Sequence, residues 1–539
     1  MTSRRTLLGT AALGTAAAAM VRAAPAMAQP GIVQGEAAHT LRFIPQADVA
    51  QIDPLSSTSY ALRNHGHMCW DTLYGLDADY RPQPQLAEGH VVEDDGRRWV
   101  FTLRDGPTFH DGEKIRAADT VASVRRWMAR DTHGQTLAAR MDEIRALDDR
   151  RFEIRLKRPF GVMLDALGKA SSYPCFIMPE RFANLPATQQ LTEIVGSGPY
   201  RFVAEERRSG SQVVYRRYDR YVPTPVGTPG VTAGPKLAHF ERMVWLNIAD
   251  PGTASAALQA GEVDMWERMQ NDQRPILARR RDVVIDRIET VGTVVMLRPN
   301  HLHPPFDDPA VRRALWPAIV QSDYMQAIMG DDRRLWSDGV GCFPPGSALA
   351  SDEGLSVLTG PRDIAAAKAA VAATGKAGAK VVVLDPADQP NNNALTLVAI
   401  DMLKKVGFEV EDAVSDWGSM LQRRGNRAPP SQGGWNAVVV LFGGDDLSNP
   451  GGHPLLRANG QDAWFGWPTI PRLESLRDEW LEAPDTEAQK RIGRAIQAQF
   501  FQDVPYWPLG QYFVDCAYRR GLQVGRRGMT LPLNVKREA

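Results

Sequence analysis

The 539-residue chain carries no net charge and little cysteine, and past residue 28 it has no apolar run near the 18 or more residues that a membrane-spanning helix needs. Its 63 basic and 63 acidic residues cancel. That balance argues against a protein that lives on phosphate backbones or anionic lipid, because both draw on an excess of basic side chains. The four cysteines, Cys69, Cys175, Cys342 and Cys516, are widely spaced and form no Cys-x-x-Cys pair for redox or zinc chemistry. In an oxidising compartment they allow three disulfide pairings, and buried free thiols are the other reading. There is no Gly-x-Ser-x-Gly elbow, no His-Glu-x-x-His and no Gly-x-x-x-x-Gly-Lys-Ser/Thr loop. Hydrolase and nucleotide-binding readings therefore have no site. The paired histidines His65/His67 and His301/His303 stand two apart and share no helix face, so hydrogen-bonded structural roles are expected and no metal or cofactor is.

What is present is an ordinary globular composition, 43% hydrophobic and 23% charged. A single core stops growing at roughly 250 to 300 residues, so the length implies two or three domains. The first 28 residues read differently: Arg4-Arg5 precede a weakly apolar run rich in Ala and Gly, and Ala26-Met27-Ala28 offers a small-x-small cleavage site before Gln29. This resembles a bacterial twin-arginine export signal, and a periplasmic protein without stable membrane insertion is expected. The leader holds Arg4, Arg5 and Arg22 and no acid, so its removal leaves a net charge of −3.

Alternation in Trp99-Val100-Phe101-Thr102-Leu103 and Arg151-Phe152-Glu153-Ile154-Arg155-Leu156 predicts strands, with a helix through Val121, Val124 and Met128 between them, an α+β layer. Residues 221–235 are too rich in Pro and Gly for regular structure. Over 362–442 helices and strands alternate: helices at 365–374, 393–406 and 416–424, strands at 379–384, 408–414 and 435–442. Such alternation implies crossover connections and a mainly parallel sheet. Ligands in such sheets sit beyond the carboxyl ends of the strands, which picks out the loops 385–393 and 443–450 as a binding surface.

Several runs together carry a family resemblance. Leu86-Ala87-Glu88, Trp99 to Gly106, Phe109-His110-Asp111-Gly112 and Ala117-Ala118-Asp119-Thr120-Val121 are followed in order by Gly196-Ser197-Gly198-Pro199-Tyr200-Arg201-Phe202, Ala257 to Asp264, and Pro305-Phe306-Asp307-Asp308 with Val311-Arg312-Arg313-Ala314-Leu315. The pattern resembles solute-binding protein family 5, the dipeptide- and oligopeptide-binding components of bacterial ABC importers. The resemblance implies an α/β, periplasmic-binding-protein-like (class II, Venus flytrap) fold of two lobes with an additional small α+β domain. Carried over, lobe I holds 29–71, 196–290 and 505–539, the accessory domain 72–195 and lobe II 291–504. It implies a non-enzymatic, monomeric receptor that closes on a peptide or peptide-like amine and docks on a permease served by separate ATPase subunits. His110-Asp111 then belongs to a turn of the signature and is not a catalytic pair.

Peptide-binding members place an Asp four residues before a Pro to meet the ligand's ammonium, and here Asp446 stands four before Pro450. Asp445 reads as the solvated or turn-capping neighbour. The Trp that such members place before the Asp is missing, which leaves Phe442 as a displaced aromatic wall. The loop where dipeptide binders carry an Arg, 385–393, has no cation, and Asn391 and Asn392 offer amide donors and acceptors instead. Trp417, Trp467 and, from lobe I, Tyr60 are the further aromatic candidates. The missing cation keeps a non-peptide solute such as an opine, a sugar derivative or a metal chelate as the alternative; a secreted hydrolase is the reading from another class. The leader makes a direct prediction: protein recovered from the periplasm should begin at Gln29 by intact mass, and retention of residues 1–28 would contradict the cleavage site.

Overall fold

The computed structural model describes residues 39–538, so the leader and its cleavage site lie outside the described residues. Three sheets organise the rest. In strand Arg98–Leu103 every second side chain is buried, Trp99, Phe101 and Leu103, as the alternation requires. It pairs antiparallel with Ala87–Glu93 and Arg151–Leu156, and Met141–Ala146 completes the four-stranded sheet. Helix Ala117–Met128 lays Val121, Val124 and Met128 into the same core as Phe101 and Phe152. His110 is fixed in a turn closed by the Phe109 amide donating to the Glu113 carbonyl, with ring contacts to the Gly198 carbonyl at 3.0 Å and the Gly196 amide at 3.2 Å.

The second sheet has seven strands in the order Val283–Asp286, Cys516–Arg519, Met265–Trp266, Thr40–Ile44, Arg242–Leu246, Gln212–Arg217, Tyr200–Phe202. Its centre is parallel, with Thr40–Ile44 flanked by Arg242–Leu246 and Met265–Trp266, and its flanks are antiparallel. The third sheet has the order Trp336–Ser337, Trp507–Tyr512, Thr293–Pro299, Ala437–Gly443, Lys380–Pro386, Glu409–Ser415. Only the last three strands pair with one another in parallel. The expected mainly parallel sheet is therefore mixed. Helix crossovers impose parallel pairing only on consecutive strands, whereas Thr293–Pro299 and Trp507–Tyr512 arrive from distant sequence and run antiparallel.

The chain passes between the second and third sheets through two short connections, 287–292 and 513–515. The expected lobe I segment starting at 505 begins too early: Trp507–Tyr512 is hydrogen-bonded into the third sheet, beside Thr293–Pro299. A second correction concerns 385–393. Helix Pro390–Lys405 starts at Pro390, because a first-turn residue needs no amide hydrogen, and Asn391 and Asn392 lie in its first turn and not in a loop.

All four cysteines are buried free thiols, and burial raises each above its ordinary pKa. A thiol reagent such as Ellman's should accordingly find none of the four in the native protein and all four after unfolding, without prior reduction. Two thiols or fewer after unfolding would mean a disulfide.

Candidate functional site

The carboxyl end of strand Ala437–Gly443 runs into a single 3-10 turn, Gly444–Leu447, that carries Asp445 and Asp446. Two glycines allow this. A β-carbon on Gly443 would stand 2.5 Å from the Tyr60 hydroxyl, and one on Gly444 2.3 Å from the Val291 carbonyl oxygen, both inside contact distance. The Gly444 amide donates to the Gly292 carbonyl at 2.9 Å, so the acidic turn is fastened to one of the two connections between the sheets.

Tyr60 opens helix Tyr60–Cys69 and reaches across to this turn. Its hydroxyl donates to Asp446 Oδ2 at 2.5 Å and accepts from the Gly443 amide at 2.8 Å. The other Asp446 oxygen accepts from the Ser172 amide at 3.4 Å. One carboxylate is thus held by residues from two separated parts of the chain, both far from its own turn. One turn along the helix, the Arg63 guanidinium lies 4.3 Å over the Tyr60 ring and 3.7 Å from Asp445 Oδ2. Burial, with Asp446 beside it, pushes the Asp445 carboxyl up to about 7, and burial followed by the same two carboxylates pushes the Tyr60 phenol up, keeping it a donor.

Behind Arg63, the Asn64 amide donates to Glu267 Oε1 at 2.8 Å while the Gln46 amide donates to the other oxygen at 2.7 Å; burial raises Glu267 to about 7. Arg268 stands 4.0 Å from Glu289 and 3.3 Å from the Thr293 hydroxyl. A cavity of about 420 Å³ opens here, walled by Gln46, Asn247, Trp266, Arg268 and Gln270. It lies at the carboxyl ends of the three parallel strands of the seven-stranded sheet, where α/β sheets place ligands.

Of the residues expected from sequence, Tyr60, Asp445 and Asp446 meet, and Asp445 is neither solvated nor a mere turn cap, since it faces Arg63. Phe442 precedes Gly443 in the strand and so faces the other side, its ring packed edge-on to Trp464 at 5.6 Å. Trp417 heads helix Trp417–Arg424, 36% exposed, with its amide on Asp388. Trp467 is 4% exposed, packed on Trp435 at 6.0 Å with Arg427 over it, a core position. Asn391 and Asn392 sit half-buried at the start of their helix. Arg63, Ser172 and Glu267 escape the sequence reading. Arg63 had a signal, being three residues after Tyr60 and so on the same helix face; Ser172 and Glu267 had none, because only the fold brings them near.

The chain's fold and family are also given by comparison. The model of the bacterial extracellular solute-binding proteins, family 5, middle portion, matches residues 81–463. A probable peptide ABC transporter periplasmic-binding protein, y4tO of Sinorhizobium fredii, is 34% identical over 488 residues, 90% of this chain and 91% of the relative. Among solved structures, the periplasmic binding protein AgaA of A. tumefaciens R10 in complex with agropinic acid superposes with a TM-score of 0.77 at 20% identity, covering 93% of this chain and 99% of that one. The dipeptide-binding protein of Pseudoalteromonas sp. SM9913 in complex with Met-Leu does so at 0.75 and 19%, covering 93% and 100%. With the two-lobe arrangement of its sheets and the family model spanning most of its length, the chain belongs to the bacterial extracellular solute-binding proteins of family 5.

Proposed function

We propose that this protein is the periplasmic receptor of an ABC importer, a monomer released after Ala28, that captures a peptide or peptide-like amine between its lobes and delivers it to permease and ATPase subunits. The 34% identical relative, described as a peptide transporter component, supports the peptide class. The observation that carries the reading is the Asp446 carboxylate, buried where Tyr60 of one lobe meets the Gly444–Leu447 turn of the other. A carboxylate pair in such a place is costly unless a cation joins it, so an ammonium ligand supplies free energy that is realised only when both lobes surround it. The energy for transport comes from the ATPase partners, because the receptor itself only opens and closes.

Calorimetry with a panel of di- and oligopeptides, both α-linked and side-chain-linked, should show saturable 1:1 binding by at least one member, with every ligand recovered intact by mass spectrometry. Cleaved ligand would support a hydrolase, and silence from the whole panel would overturn the peptide reading. Asp446→Asn should weaken a binding peptide roughly tenfold to a hundredfold, the scale of a charge-assisted hydrogen bond, with the fold retained by circular dichroism. Tyr60→Phe removes the hydroxyl that joins the lobes and should raise the ligand's off-rate about tenfold in stopped flow.

The raised Asp445 pKa sets a pH signature. A carboxyl whose folded pKa lies above its unfolded value of about 3.9 binds its proton more tightly when folded. The unliganded protein therefore loses stability through this group as pH climbs from about 4 to about 7, and the loss is complete above that. In thermal melts, Asp445→Asn should gain on the wild type across that window, and a bound amine should close the gap. A difference that does not vary with pH would remove Asp445 from this role.

A further inference from the structure

The cation that faces the acidic turn comes from the lobe opposite it. Residues 385–393 hold none, whereas Arg63 stands on helix Tyr60–Cys69 and faces Asp445. Two further cations near the cleft are already engaged, Arg268 by Glu289 and Thr293 and Lys169 by Asp131. Arg63 is only 6% exposed, and among the described residues its guanidinium makes one hydrogen bond, from Nε to Asn64 Oδ1 at 3.0 Å. The separation of 3.7 Å between Nη1 and Asp445 Oδ2 is a charge pair too long for a hydrogen bond. Most of its five donors are unused within the protein, its terminal nitrogens keep contact with solvent, and its planar fork matches a carboxylate. Stacking on the Tyr60 ring holds that fork in place. On the other side of the gap, the one hydrogen bond to the Asp445 carboxylate among the described residues, at 3.2 Å, comes from the Asp446 amide to Oδ1, so Oδ2 has there the charge contact alone.

Two opposite charges that face each other without bonding are matched by a group carrying the complementary pair on neighbouring atoms. We propose that Arg63 is the anion-reading residue of the cleft and that the ligand presents a free α-amino acid head, its ammonium to the Asp445–Asp446 pair and its carboxylate to Arg63. This rests on the receptor reading above and narrows its ligand class. The N-terminus of an ordinary α-linked peptide does not qualify, because its ammonium neighbours an uncharged amide. Side-chain-linked peptides and amino-acid conjugates do, since both charges stay on the α-carbon. The head replaces one unbonded charge pair with two bonded ones, and as Arg63 and Asp445 belong to opposite lobes, it ties lobe closure to the presence of both charges.

The isomers γ-glutamylalanine and α-glutamylalanine test this on the unaltered protein, because they share composition and net charge and differ only in whether the α-carboxylate is free. The γ isomer should bind at least tenfold more tightly by calorimetry. Arg63→Gln should weaken it by tenfold to a hundredfold and erase the preference, and Arg63→Lys should restore part of the affinity without the full preference. Equal binding of the isomers, or a preference that survives Arg63→Gln, overturns the inference and leaves the receptor reading standing. If neither isomer binds but other peptides of the panel do, the inference again fails alone; if nothing in the panel binds, both fail together. The isomer comparison needs no variant, so misfolding of Arg63→Gln does not blunt it.

Discussion

The hydrogen bond from the Tyr60 hydroxyl to the Asp446 carboxylate is the contact on which the site depends. It spans 386 residues of sequence and joins the lobe built on the seven-stranded sheet to the lobe built on the six-stranded one. Because the same hydroxyl accepts from the Gly443 amide, the phenol sits inside the backbone of the acidic turn, and that turn has room for it only because residue 443 lacks a side chain. Gly444 meets the same constraint from the other direction, against the Val291 carbonyl. The Gly443-Gly444 pair that replaces the expected Trp is therefore a steric requirement of lobe contact.

That geometry couples ligand chemistry to lobe motion. The acidic turn is bonded to Gly292, within one of the two connections between the sheets, and the second connection leaves the strand that ends at Tyr512. A shift of the turn is transmitted directly to the segment about which the lobes would rotate. The electrostatics bias the same motion: burying Asp445 and Asp446 together is unfavourable without a cation, and Arg63 compensates only in part at its long separation. A bistable element needs such imbalance, since a fully satisfied closed form would have no use for a ligand.

Much of the architecture is legible in the sequence because it rests on local periodicity. The period-two burial of Arg98–Leu103, the helix through Val121 and Val124, and the three crossover-linked strands around Lys380–Pro386 all follow from residues close in the chain. Two of the errors come from long-range pairing. Residues 507–512 were expected in lobe I, and nothing near them in the chain says that their partner is Thr293–Pro299. Trp467 reads as a pocket aromatic, yet it lies under Arg427 against Trp435. The start of the helix at Pro390 was a local matter and could have been read from the proline itself.

By itself the sequence determined the class of the molecule, the residues of the acidic turn and the lack of a cation in residues 385–393, because composition and short motifs do not depend on what packs against them. Only the tertiary structure decided what faces that turn. Tyr60 is separated from Asp446 by 386 residues, and the meeting of Tyr60 and Arg63 with the acidic turn follows from two lobes folding on either side of a pair of short connections. Charge complementarity at a cleft is a property of two surfaces, and one-dimensional order records each surface without recording that they oppose.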